Sequence, residues 1–326
     1  MMNDHPNSIL LGRTDIHISP MGIGAWAWGD QHFWGYGYGY TDEDIQAAVQ
    51  VTLSAGINFF DTAEIYGRGK SERLAGKFLN SYGESQNPGK NRTTPLVIAT
   101  KFFPYPWRLT KKRLVNALRG SLERLGIDQV SLYQVHWPYP PVPVEKWADG
   151  LADAFEQGLT QAVGVSNYNK VQMRRTVEVL NQRSLSLASN QVEYHLLNRR
   201  VEKNGLLALC QEMGITLIAY SPLAQGILTG KYSAENPPPR ARRQVWTREK
   251  LERVKPLLST MRSIGASHGG KTPAQVALNW VICKGGVPIP GAKNAQQAEE
   301  NAGGLGWQLS AEELLELDQM SDQFHE

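Results

Sequence analysis

The chain of 326 residues is short of cysteine, of net charge and of long apolar runs. Its two cysteines, Cys210 and Cys283, form neither a C-x-x-C pair nor a cluster with histidine. That argues against a disulfide framework, reads as two packed helix thiols and fits a reducing compartment. No stretch of about 18 apolar residues occurs, so no membrane span is expected. Lys and Arg number 34 against 31 Asp and Glu, a formal charge of +3 that is too mild for a nucleic-acid surface. The segment Met1 to Ser8 is polar and lacks the basic start and apolar run of a secretory signal and the Arg/Ser-rich character of a transit peptide, so a cytoplasmic location is expected. No metal-ligand constellation is found. What remains, 41% hydrophobic and 20% charged, is the composition of a globular chain with a substantial core, read here as one domain over 1–326.

The stretch from Gly56 to Gly67 organises the rest. Gly56 suits a helix C-terminus that needs a left-handed residue. Ile57, Phe59 and Phe60 are bulky strand formers, Asp61 stands where the strand stops, and Tyr66 follows on a loop. A carboxylate and a phenol at the end of a buried strand are costly there without partners.

A regular rhythm surrounds this stretch. After a small hairpin about Gly12-Arg13-Thr14-Asp15 and a short strand from Met21 to Gly24, helix 42–56 leads to strand 57–61, and helix 71–80, started by Ser71, leads across the polar loop 84–94 to strand 96–101. Helix 110–125 precedes strand 130–136, helix 143–157 strand 160–166, helix 169–182 strand 187–192, and helix 201–213 strand 215–220. A loop with Pro237-Pro238-Pro239 and the basic run Arg240, Arg242 and Arg243 interrupts; helices 247–267 and 272–283, strand 286–290 and helices 294–302 and 310–321 finish the chain. Eight strands alternating with helices over roughly 300 residues predict an α/β fold, a (β/α)8 TIM barrel with an N-terminal β-hairpin and extra C-terminal helices. An open doubly wound sheet would need a dinucleotide fingerprint. Gly22-Ile23-Gly24-Ala25-Trp26-Ala27 has the letters, but an aromatic-rich loop follows where the motif requires a helix N-terminus.

In such a barrel the C-terminal strand ends share the functional face. Those ends carry Asp61, Lys101, His136, Ser166, Asn167, Gln191, Tyr220 and Ser221, then Gly291 with Lys293. Taken singly, each has a bland alternative: Asp61 as a turn residue, Lys101 as a strand-end charge, His136 as a core imidazole, Tyr66 as loop packing. Together on successive strands they form a chemical unit. A phenol titrates near ~10, a neighbouring ammonium stabilises its phenolate, an aspartate holds that ammonium, and a neutral histidine orients a carbonyl oxygen. The set suits protonation of a developing alkoxide while hydride arrives from the other side.

These residues resemble the aldo-keto reductase superfamily over nearly the whole chain. Phe60-Asp61-Thr62-Ala63-Glu64-Ile65-Tyr66-Gly67, Ala99-Thr100-Lys101, Gln134-Val135-His136-Trp137, Gly164-Val165-Ser166-Asn167-Tyr168, Asn190-Gln191-Val192, Tyr220 to Gly226 and Pro290 to Lys293 carry the likeness. The resemblance implies Tyr66 as general acid in carbonyl reduction, supported by Asp61, Lys101 and His136. It implies NADPH as cofactor, with Ser166, Asn167 and Gln191 on the carboxamide, Tyr220 on the nicotinamide ring, and Ser221, Leu223 and Gly226 at the pyrophosphate. Gly291, Lys293, Gln297, Glu300 and Asn301 complete the cofactor set, Lys293 at the extra phosphate. Trp26-Ala27-Trp28-Gly29, Trp34-Gly35-Tyr36, Phe103 to Thr110 and Ile282 to Gly285 look like the pyridoxal reductase group of plant chloroplasts, from which the Gly35-to-Tyr40 run of alternating Gly and Tyr departs.

A small-molecule aldehyde, pyridoxal first among them, is thus the expected substrate, with Trp26, Trp28, Trp34, Trp107 and Trp137 as its aromatic contacts. The competing readings are a broad aldehyde or sugar-aldehyde reductase, a non-catalytic subunit that still binds the cofactor, and a lyase or isomerase barrel.

Overall fold

A computed structural model of the chain describes residues 8–85, 95–239 and 242–324. Met1–Asn7, most of the polar loop 84–94, and Arg240 of the basic run lie outside them.

The strands are β1 (Ile9–Leu10), β2 (His17–Ile18), β3 (Gly22–Gly24), β4 (Phe59–Asp61), β5 (Val97–Phe102), β6 (Val130–Val135), β7 (Thr160–Ser166), β8 (Leu187–Glu193), β9 (Thr216–Tyr220) and β10 (Val287–Ile289). The helices are α1 (Asp42–Ser54), α2 (Lys70–Ser85), α3 (Lys111–Leu125), α4 (Val144–Glu156), α5 (Lys170–Gln182), α6 (Arg200–Lys203), α7 (Leu206–Met213), α8 (Arg242–Val245), α9 (Arg248–Ser267), α10 (Pro273–Cys283), α11 (Ala295–Ala302) and α12 (Ala311–Asp322). Strands β3 to β10 are parallel and paired in chain order. The Gly24 amide donates to the Pro290 carbonyl at 3.0 Å, which brings the last strand back against the first. The alternation expected from the sequence is therefore a (β/α)8 barrel.

The antiparallel hairpin β1–β2 plugs the N-terminal end. Leu11 and Ile18 are fully buried in the barrel interior with Phe59, Ala99, Leu132 and Ile218. Gly12 has φ +61° and approaches strand β8 so closely that a Cβ would stand 2.5 Å from the Ala188 carbonyl oxygen, so only glycine fits that turn. With the bottom closed, polar side chains converge at the top.

Local chemistry explains the boundaries. The Asp44 carboxylate accepts the Thr41 amide at 2.9 Å to start α1, and Gly56 follows the helix at φ +80°. Strand β4 is shorter than expected: the Asn58 amide donates to the Ser19 hydroxyl at 3.1 Å rather than to a neighbouring strand, and its side chain accepts from the Ser19 amide and donates to the carbonyls of His17 and Pro95. The helix expected over 201–213 breaks at Asn204–Gly205 into α6 and α7, and the loop after β9 contains a 3-10 turn, Ala224–Thr229, that the sequence pattern did not suggest. Ser71 does not cap α2, which begins at Lys70. Its hydroxyl instead donates to the Ala25 carbonyl at 2.8 Å and meets Thr62 Oγ1 at 2.8 Å.

No helix among the described residues is long and apolar enough to cross a membrane, and none of their His, Cys, Asp and Glu side chains gather into a metal-binding group. Both cysteines are free; burial pushes the Cys210 thiol up to about 12.

Candidate active site

Register aligns three of the four expected catalytic side chains. Asp61 pairs with Ala99, two residues short of Lys101, and Lys101 pairs with Gln134, two residues short of His136. Alternate residues of a strand share a face, so Asp61, Lys101, Gln134 and His136 point into the same end of the barrel. Tyr66 reaches them from the loop after β4, which turns through Gly67, Arg68 and Gly69, all at positive φ.

Lys101 and Asp61 form an ion pair whose side chains are essentially removed from solvent. The Lys101 ammonium also donates to the Thr62 carbonyl at 2.9 Å and lies 3.5 Å from the Tyr66 hydroxyl. The other Asp61 oxygen accepts from Gln191 Nε2 at 2.9 Å and Gln134 Nε2 at 3.1 Å. The His136 ring stands edge-on to Tyr66, 5.6 Å between centroids, and its buried Nδ1 has no partner among the described residues.

Burial governs the protonation states. It raises the Tyr66 phenol well above its ordinary value, and the Asp61 carboxylate adds to the rise. It lowers the Lys101 ammonium against the opposing pull of Asp61, and it holds His136 well below the usual imidazole range with help from the Lys101 charge. The sequence had suggested that Lys101 would lower the phenol. Instead burial raises it, and Asp61, in contact with the ammonium, adds to the rise, so Tyr66 is a protonated phenol beside a neutral imidazole.

The cavity above these groups has a volume of ≈ 610 Å³. Every expected cofactor residue lines it: Ser166, Asn167, Gln191, Tyr220, Ser221, Leu223, Gly226, Gly291, Lys293, Gln297, Glu300 and Asn301. They are cross-linked. Tyr220 OH donates to Asn167 Oδ1 at 3.1 Å, Asn167 Nδ2 to the His136 carbonyl at 3.1 Å, and Ser166 Oγ to the Gln191 carbonyl at 2.9 Å. Asn167, Ser221, Ala224 and Gln225 are non-glycine residues at positive φ, a concentration of backbone strain typical of functional sites. Gln191 thus has a second task, holding Asp61.

The five tryptophans divide. Trp26, Trp34 and Trp137 line the cavity, and Trp26 stands 6.3 Å from the Tyr66 ring and 5.4 Å from Trp34. Trp28 does not: it is fully buried, and its indole N–H is spent on the Ala292 carbonyl at 2.9 Å. Trp107 is 72% exposed and stacks on Tyr105, outside the cavity wall. Trp34 lies among cations, with Arg242 5.0 Å and Lys293 4.7 Å from its ring, and Lys293 Nζ donates to its carbonyl at 3.1 Å. In the Gly/Tyr run behind it, Tyr36 and Tyr40 turn inward onto Asp42 and the Ala27 carbonyl, which anchors the loop, while Tyr38 stays exposed.

The sequence pattern assigns no role to Gln134, Gln225, Lys231 or Tyr232, all of which contact or line the site. The alternation of Gln134 with His136 on one strand could have found the first. Arg242 was visible only as part of a basic loop; folded, it is buried, donates to the Gln225 carbonyl at 2.9 Å and lines the cavity. Trp34 Nε1, Gln225 Oε1 and Arg242 Nε are buried and unpartnered among the described residues, so this wall has hydrogen-bonding capacity that those residues leave unused. Amide groups at one end of the cavity and Lys231, Arg242 and Lys293 at the other form a donor set that suits an anionic dinucleotide.

Comparison with known proteins bears on the family and the fold. Residues 20–322 match the aldo/keto reductase family. The chain is 46% identical over 310 residues to the chloroplastic pyridoxal reductase of Arabidopsis thaliana, covering 93% of this chain and 83% of the relative. Among solved structures it is similar to the glycerol dehydrogenase of Gluconobacter oxydans (TM-score 0.83, 25% identity, 98% and 96% of the two chains). It is also similar to an aldo-keto reductase of Klebsiella pneumoniae in complex with NADPH (TM-score 0.71, 26% identity, 94% and 92%). The chain belongs to the aldo/keto reductase family.

Proposed function

We propose that this protein reduces a flat aromatic aldehyde, pyridoxal first among them, to the corresponding alcohol, with Tyr66 as proton donor. The coarser part, NADP(H)-dependent reduction of a carbonyl compound, follows from family membership. The observation that carries the finer part is the ring-lined cavity next to the acid: Trp26, Trp137 and Tyr220 stand with Tyr66 and His136 around the space a carbonyl must enter. Flat rings offer faces on which a pyridine ring stacks, whereas an open-chain sugar would want more hydroxyl and amide partners. The likeness to the plant pyridoxal reductase supports the same reading.

The cofactor, when bound, supplies the hydride to the carbonyl carbon. The protein's part is to hold the carbonyl oxygen between the Tyr66 hydroxyl and the His136 ring, both neutral, and to deliver the phenolic proton as negative charge develops on that oxygen. The phenolate left behind is faced by the Lys101 ammonium at 3.5 Å. Ser166, Asn167 and Gln191 would orient the carboxamide, and Lys293 would read the extra phosphate.

A panel of aldehydes assayed with NADPH and with NADH tests the proposal. Pyridoxal should give the highest kcat/KM, with NADPH preferred. Reduction of pyridoxal no faster than of generic aliphatic aldehydes would defeat the substrate assignment and leave a broad aldehyde reductase.

A further inference from the structure

Glu72 is a carboxylate with no solvent exposure, outside the cavity and in the first turn of α2. One of its oxygens accepts from Thr100 Oγ1 at 2.6 Å and the other from Arg124 Nε at 2.6 Å. Burying a carboxylate against a half-buried arginine costs desolvation that packed apolar side chains would avoid, so the placement calls for a reason.

The reason lies in what its partners carry. Thr100 immediately precedes Lys101 on β5. Side chains alternate along a strand, so Thr100 faces the helix layer while Lys101 faces the barrel interior. Glu72 therefore grips the outer face of the strand whose inner face presents the ammonium. Its neighbour Ser71 is equally buried and holds the other side, bonding the Ala25 carbonyl and Thr62 Oγ1, next to Asp61. Tyr66 is borne by a loop, and that loop enters α2 through the positive-φ run Gly67 to Gly69. The loop therefore runs directly into this first turn. Further along α2, Gly76 lies so close to α3 that a Cβ would stand 2.2 Å from the Leu125 carbonyl oxygen, so the helix has little room to slide.

We propose that Glu72 is a positioning residue for the reduction: by clamping the first turn of α2 to Thr100 and Arg124, it sets the separation between the Tyr66 hydroxyl and the Lys101 ammonium. The inference rests on the reading of Tyr66 as proton donor. The negative charge of Glu72 also favours the protonated form of Lys101 from behind the strand, against the effect of burial.

Thr100→Val keeps the shape of the side chain and its strand preference and removes only the hydroxyl that Glu72 accepts. It should fold with a normal circular dichroism spectrum, bind NADPH and keep the aldehyde KM of the wild type, yet lose roughly ten- to a hundredfold in kcat, the scale of a small misplacement of reacting groups. Thr100→Ser should restore kcat. Glu72→Gln should behave like Thr100→Val. In a Tyr66→Phe background Thr100→Val should cost nothing further, because groups that act as a unit are not additive. A folded Thr100→Val with wild-type kcat, or a lowered Tm with kcat intact, would show that Glu72 only ties α2 to α3 and would overturn the proposal. Full activity of Tyr66→Phe alone would instead defeat the proton-donor reading, so the two failures are distinct.

Discussion

The two walls of the cavity are built on opposite terms. On one, Asp61, Lys101 and His136 stand at strand ends, and the Lys101 charge is met at contact by Asp61, itself held by Gln134 and Gln191. On the other, Trp34 and Lys231 come from loops, Gln225 from a 3-10 turn and Arg242 from the short helix α8, backbone strain is concentrated, and buried polar atoms lack partners among the described residues. The first wall has nearly all its hydrogen bonds made and places reacting groups to within ångströms. The second holds positive charge against aromatic faces and has bonds still to make. Chemistry needs the fixed geometry; capture of a large anionic ligand tolerates, and uses, the looser one.

Substitutions should separate the walls. The largest effect is expected beside the first wall, where the loop after β4 brings Tyr66 to Lys101: Tyr66→Phe should lower kcat by at least ~10²-fold, the scale of general acid catalysis, while NADPH still binds. Steady-state rates and a fluorescence titration check this together; near-normal turnover would break the comparison at its strongest point. On the loop side, Lys293→Ala should weaken NADPH about ten- to a hundredfold and leave NADH nearly unchanged, since one charge-assisted contact contributes roughly 1.5–3 kcal/mol. Equal weakening of both cofactors, measured by titration, would remove Lys293 from phosphate recognition. The smallest effect belongs to the seam between the walls. Trp26→Ala should raise the KM for pyridoxal about two- to tenfold relative to a small aliphatic aldehyde, the value of one aromatic contact. Trp107→Ala, outside the cavity wall, should leave both KM values alone. A larger effect at Trp107 than at Trp26 would mean that the rim, rather than the cavity, receives the ring.

The same division separates what could be read along the chain from what could not. Period-two and helical patterns name the eight strands and their ends, because alternation is local. Once strand ends are known to share a face, Asp61, Lys101 and His136 fall together without coordinates. Loop side chains obey no such period. Trp28 and Trp34 are six residues apart on one aromatic segment, yet Trp28 turns into the core because the Ala292 carbonyl waits there, and Trp34 turns to the cavity because Lys293 and Arg242 flank it. Ser71 looked like a helix cap by its position and proved to be a bolt between two strand ends.

Order, period and side-chain type along the sequence therefore sufficed for the barrel and for the gathering of Asp61, Lys101 and His136 at its strand ends. The tertiary structure alone decided that Gln134 and Gln191 meet on Asp61, that Glu72 reaches Thr100, and that Arg242 crosses to the Trp34 loop. Each of these contacts joins residues separated by many positions. Their distances depend on how whole strands and helices settle against one another, and no local propensity encodes that.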